Sequence, residues 1–144
     1  MTITARTYAA GEAEGLALVL AEPLSFWGGI DVETGNVIDR SHPDLGRSVT
    51  GRVLVMPGAR GSSSASAVLA ETIRRGTGPA GIILAVADPI LTVGAIVAQH
   101  LYGRRCPIVV CPIDAIASGD PLRIRAADTG AADVFNGRHQ AESR

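Results

Sequence analysis

The residues best suited to chemistry lie together in one stretch, Pro57-Gly58-Ala59-Arg60-Gly61-Ser62-Ser63-Ser64. Gly58 and Gly61 let the backbone come close to a ligand, and three serines lead into what reads as a helix starting near Ala65. The first N–H groups of a helix lack intrahelical partners and the helix dipole is positive there, so that end suits an anion. Arg60 adds a planar guanidinium that matches a carboxylate or phosphate with two parallel hydrogen bonds. The functional reading is an anion cradle holding one reactive serine, with Arg60, Gly61 and Ser63 as substrate-binding residues. The plainer reading is a serine N-cap on an ordinary helix. Residue types and spacing alone leave both standing.

Other chemistries fail on the residues they need. All 13 Lys+Arg positions are Arg, which removes Schiff bases, pyridoxal sites and the lysine-bearing phosphate loop. Gly61-Ser62-Ser63-Ser64-Ala65 is not the Gly-x-Ser-x-Gly turn of a nucleophile elbow. A Ser-His-Asp triad would have to use His100, read as buried late in a helix, or His139 near the chain's end. His42, in Ser41-His42-Pro43-Asp44, reads as a turn histidine. No histidine stands between it and His100 to serve a phosphocarrier loop. Cys106 and Cys111 are too few for a disulfide framework or a four-ligand metal site, and read as small buried residues flanking a strand. No metal-binding constellation is expected.

The elements that must position the serine loop are legible around it. Val53-Leu54-Val55-Met56 is an apolar strand stopped by Pro57-Gly58. Ala65, Val68, Leu69, Thr72 and Ile73 share one face at helical spacing, and Gly76 ends that helix after Arg74-Arg75. A second strand is expected over Ile82 to Ala87. Asp88-Pro89 then starts a helix, with a carboxylate cap followed by proline at the first helical position. That helix, Ile90 to Tyr102, is apolar nearly all round and is expected to be well buried. Gly103 ends it, and Pro107 to Cys111 is the third strand.

Strand–helix–strand–helix–strand at these lengths implies two βαβ units and an open parallel sheet. Ligands of such sheets bind beyond the carboxyl ends of the strands, where the loops Pro57 to Ser64, Ala87 to Pro89 and Cys111 to Asp114 would meet. Residues 1–50 read as short strands and turns, with strands at Leu16 to Leu20 and Asn36 to Asp39. Leu122 to Ala126 and the segment around Val134 are candidate edge strands, and 137–144 a loose tail. Trp27, beside Gly28-Gly29, is either a packing residue or a contact for another protein.

Bulk properties agree with one α/β domain. The chain has 144 residues, 47% hydrophobic and 19% charged, enough for a core without staples. Aromatics are only 3%, so the core must be built from Val, Ile, Leu and Ala. A formal net charge of −1 gives no electrostatic reason to expect nucleic acid or an anionic membrane. Met1 to Gly15 shows no secretory pattern, and the longest apolar run, Ala80 to Ala87, is far short of a membrane span. A cytoplasmic location is expected.

Several separated motifs resemble one family. Pro23-Leu24-Ser25-Phe26-Trp27-Gly28-Gly29-Ile30-Asp31, Thr34-Gly35, His42-Pro43 and Gly58 to Ser66 are similar, in order, to the small subunit of the aconitase X family. So are Gly78-Pro79-Ala80 and Asp88 to Ala98. The resemblance covers roughly residues 11–112. It implies an α/β swivelling β/β/α domain over residues 1–136, with a parallel βαβαβ core and additional short β-strands. It implies a larger partner chain carrying an iron–sulfur cluster on its own cysteines, with no cofactor held by this chain. It also implies dehydration of a small hydroxy-carboxylate, with Ser62, the first serine after Arg60-Gly61, as proton acceptor. Family substrates are cis-3-hydroxy-L-proline and 5-phosphomevalonate. The absence of Lys does not suit a hyperthermophile, which favours the first, bacterial reaction. A non-catalytic binding module on the same fold is the alternative of another class.

Overall fold

Val53-Leu54-Val55-Met56 and Gly81-Ile82-Ile83-Leu84 are apolar at every position because both of their faces are covered. The computed structural model describes residues 1–128 and 130–138. These two segments are β3 (Val53–Met56) and β4 (Gly81–Leu84) of a seven-stranded barrel. The others are β1 (Thr2–Ala9), β2 (Gly11–Val19), β5 (Ile108–Val110), β6 (Pro121–Ala126) and β7 (Ala131–Asn136). The order around the barrel is β1-β5-β4-β3-β2-β6-β7, and β7 pairs back to β1. Alternate side chains part to two cores. Val53, Val55, Ile83 and Val109 enter the barrel with Leu122, Ile124 and Val134. Leu54, Met56, Ile82, Leu84 and Ile108 face outward into a second core under the helices.

That outer layer is made by α2 (Ala65–Arg75) and α3 (Pro89–Tyr102), which pack against each other. They approach closely at Gly94, where a Cβ would lie 2.6 Å from the Ser66 carbonyl oxygen. Both helices stop as the sequence predicts, at Gly76 and Gly103. Asp88 caps α3, its carboxylate accepting from the Leu91 N–H at 2.9 Å. A short turn, α1 (Phe26–Gly29), plugs the layer from above with Leu24 and Phe26, both fully buried.

Several expectations need correction. The expected open parallel sheet is the arc β2-β3-β4-β5, parallel throughout, within a closed barrel whose remaining pairings are antiparallel. β6 and β7 are therefore not edges. They close the barrel, and removing edges satisfies strands that would otherwise expose unpaired backbone. Asn36 to Asp39 is not a strand: Val37 and Asn36 make only isolated bridges to Ile30 and Ser48. α3 is not buried all round, since Val93 and Leu101 are 51% and 67% exposed. His100 is exposed as well. Gly137 and Arg138, expected in a loose tail, are held: the Gly137 N–H donates to the Pro121 carbonyl and the Arg138 guanidinium to the Ala115 carbonyl. The remaining tail, 139–144, including His139, lies outside the described residues.

Candidate active site

The chain leaves β3 at Met56 and reaches α2 through the serine loop, which the preceding segment holds from one side. Leu24 makes an isolated parallel bridge with Ala59. Two residues on, Gly61 (φ 122°) runs against Ser25, and a Cβ at Gly61 would sit 2.7 Å from Ser25 Cβ. Positive φ and close approach together require glycine here. The result is a small recess at the carboxyl ends of β3 and β4. Arg60, Gly61 and Ser62 line it with Leu24, Phe26, Asp88 and Ile90.

Within the loop the three serines are not equivalent. Ser62 Oγ accepts the Ser64 N–H at 3.2 Å, and the Ser62 carbonyl accepts the Ala65 N–H at 3.0 Å. Ser64 occupies the N-cap position of α2 but its hydroxyl makes no capping bond, because its backbone is already helical (φ −67°, ψ −15°). The simple serine-cap reading is thereby corrected: the hydroxyl that serves the helix's amino end is that of Ser62, two residues earlier. Ser63 contributes its carbonyl, which accepts from the Ser66 hydroxyl at 2.9 Å. Among the described residues the N–H groups of Ser62 and Ser63 have no intramolecular partner. An exposed hydroxyl beside free N–H groups at a helix's positive end is placed to stabilise negative charge on itself or on a neighbouring anion.

Arg60 is exposed at the rim, with no carboxylate at ion-pair distance among the described residues. The loop 39–44 supplies its electrostatic background. The Asp39 carboxyl is held below its ordinary range by the Ser41 hydroxyl and N–H, with His42 and Arg60 adding smaller attractions. His42 itself is buried: its Nδ1 accepts the Asp44 N–H at 3.0 Å, so Nε2 donates to the Glu22 carbonyl at 3.1 Å. It is the turn histidine expected, tying the loop 39–44 back to residue 22.

Two of the three loops expected to meet do so. Ala87 to Pro89 brings Asp88 to the recess, whereas the Cys111–Asp114 loop turns away, Cys111 and Pro112 lining a separate open cleft with Tyr8 and Gly130. The sequence reading placed the Ala87–Pro89 loop at the site but gave Asp88 itself only the role of helix cap; its side of the recess follows from β4 lying next to β3. Ser25 and Phe26 stood in the sequence only as part of the Pro23–Asp31 motif, and nothing in their spacing linked them to Gly61. Trp27 is 59% exposed, while Leu24, Phe26 and Ile30 beside it are buried. The cysteines do not suit an iron–sulfur cluster. Cys106 lies in the helix-side core and Cys111 in the barrel core, and burial pushes their thiols up to about 12 and about 11.

A closed mixed barrel with two helices on one flank and a serine loop at its strand ends defines an α/β domain presenting one polar corner. The sequence model described as the aconitase X swivel domain matches residues 2–132, and the chain belongs to that family. It is 51% identical over 106 residues to the cis-3-hydroxy-L-proline dehydratase of Pseudomonas aeruginosa, covering 74% of this chain but only 18% of that protein. It is 46% identical over 98 residues to the phosphomevalonate dehydratase small subunit of Methanothermobacter thermautotrophicus, covering 68% of this chain and 75% of that one. Its fold superposes on the Thermococcus kodakaraensis aconitase X (holo-form) with a TM-score of 0.82 at 32% identity, over 94% of this chain and 98% of that one. No described helix is long and apolar enough to cross a membrane.

Proposed function

We propose that this chain is the small subunit of a two-chain hydro-lyase, and that Ser62 is its proton acceptor. The observation that carries this reading is the placement of Ser62 Oγ. It alone of the three serine hydroxyls accepts a backbone N–H at the amino end of α2, and it lines the recess beside Arg60. A free serine is a very weak base. Donation from the Ser64 N–H and the positive helix end both favour the alkoxide, and preorganised donors of that kind need no rearrangement as charge develops.

In a β-hydroxy acid, the C–H bond next to the carboxylate breaks and its proton passes to Ser62 Oγ. The electron pair forms the C=C bond as the C–O bond breaks, and the hydroxyl leaves as water overall. Arg60 would clamp the carboxylate with two hydrogen bonds, and the free N–H groups of Ser62 and Ser63 would face it across Gly61. The recess has room for about one water, on the order of 10 Å³, so this chain encloses no substrate alone. Another chain must supply the remaining walls and assist the leaving hydroxyl. Membership of the aconitase X family implies an iron–sulfur cluster on that chain, and Cys106 and Cys111, buried in two different cores, do not suit one here.

The substrate proposed is cis-3-hydroxy-L-proline, in keeping with the Pseudomonas relative and the Lys-free composition. Phosphomevalonate is the alternative, in keeping with the Methanothermobacter relative. The test is to co-express this chain with its large partner and assay water elimination from each compound. Turnover of hydroxyproline alone supports the first reading, and turnover of phosphomevalonate alone replaces it. Should neither be dehydrated by an assembled pair, the chain is a binding module on this fold.

A further inference from the structure

α3 carries more apolar surface than this chain uses. Its 14 residues include no Asp, Glu, Lys or Arg. Leu91, Gly94, Ala95 and Ala98 are buried against the rest of the chain. On the opposite side Val93, Ile96, Val97 and Leu101 are all at least 38% exposed, spaced i, i+3, i+4 and i+8 as one stripe, and the exposed His100 shares their face. A solvated helix normally covers that face with charge. A largely apolar centre without Asp, Glu, Lys or Arg, with those charges confined to its border, is instead the composition of a protein interface.

The border differs at the two ends. The stripe begins at the recess, where Asp88 and Ile90 line it and Val86, 66% exposed, stands beside Gly58. It ends among Arg74, Arg75, Arg104 and Arg105. Arg104 donates to the Ile73 carbonyl, Arg74 and Arg75 share Glu71, and Arg105 lies 3.8 Å from Asp128. Four guanidinium groups against two carboxylates leave that end positive.

We propose that this stripe is the docking surface of the larger chain, which meets it with an apolar face edged by carboxylates at the arginine end. The inference rests on the proposed function and adds where the partner sits. Two observations select this occupant. The Pseudomonas relative carries this domain as 18% of its length, so polypeptide of the same assembly exists to cover the face. The stripe starts at the mouth of an incomplete recess, so one partner closes the recess and lies along α3. A second copy packed in parallel would set the arginine ends against each other.

The experiment uses the large chain of the same organism that matches the rest of the Pseudomonas protein, co-expressed and then titrated with this one. Ile96→Glu and Leu101→Glu should each weaken association at least tenfold while leaving the melting of the isolated chain unchanged. The wild-type affinity should fall as salt rises. If either variant melts early, Val93→Ser, a milder change on the same stripe, provides the reading. Wild-type affinity in every stripe variant that stays folded overturns the inference. So does a self-association of the isolated chain, or binding to phosphatidylcholine–phosphatidylglycerol vesicles, that Ile96→Glu abolishes. A wild-type chain that never binds the large chain sinks the proposed function itself, a separate outcome read before any variant is made.

Discussion

Ser62, Ser63 and Ser64 are adjacent and chemically alike, yet one hydrogen bond separates them. Only the Ser62 hydroxyl accepts a backbone N–H, from Ser64. Ser62→Ala in the assembled enzyme should therefore lower kcat by at least ~10²-fold, the low end for a lost general base, with little change in KM. Ser63→Ala should be milder, because its contribution to the loop runs through its carbonyl. Arg60→Ala should raise KM, as a lost carboxylate clamp does, and steady-state kinetics on the three variants separates these roles. Near-normal turnover of Ser62→Ala would place the base on the other chain. The motif was visible in the sequence, and the family resemblance pointed to Ser62, but residue types and spacing alone did not rank the serines. Spacing makes Ser64 the cap, and only the backbone angles show that its side chain is unused.

Among the elements, β3, α2, β4, α3 and β5 were legible because Val, Ile and Leu runs alternate with punctuators: Pro57-Gly58, Gly76, Asp88-Pro89 and Gly103. β1 was not. Its two buried positions, Ala5 in the barrel core and Ala9 in the helix-side core, are too small to give the period-two contrast by which strands are recognised. The exposure of α3 was hidden for the opposite reason: a helix apolar all round looks buried whether its cover is its own chain or another. Asp88 was read correctly as a cap, and Asp88→Ala should lower stability by about 1 kcal/mol, seen as an earlier thermal transition. α1 offers a sharper test. Trp27 is 59% exposed while Phe26 and Gly29 of the same turn are buried, so Trp27→Ala should leave the isolated chain's melting nearly unchanged. If it also weakens association with the large chain, the interface reaches across the recess from α3 to α1. Early unfolding would make Trp27 a packing residue after all.

At the scale of the molecule, closing the barrel depends on the strands the sequence pattern showed least clearly, and a buried polar knot secures them. Asp120 accepts from the Ala117 N–H and the Asn136 amide, each at 2.9 Å, and Asn136 Oδ1 accepts the Arg138 N–H at 3.0 Å. Asn136→Ala would strip a nearly buried carboxylate of one donor, which should cost about 1–3 kcal/mol in a denaturant titration. The same burial governs the two thiols, held at about 12 and about 11 against an ordinary 9.0. A group whose pKa is raised by folding binds its proton more tightly in the native state. Its contribution is thus complete below the unfolded value and is lost as pH climbs past it. Stability should accordingly be insensitive to these cysteines up to about pH 8 and decline from about pH 9 upward. The decline should be shallower in Cys106→Ala than in the wild type. Iodoacetamide at pH 8 should label neither thiol in the native chain and both in denaturant, since the thiolate is the reacting form. Rapid labelling of native Cys106 would show that the helix layer opens from the barrel, and the two-core description of the fold would then be wrong.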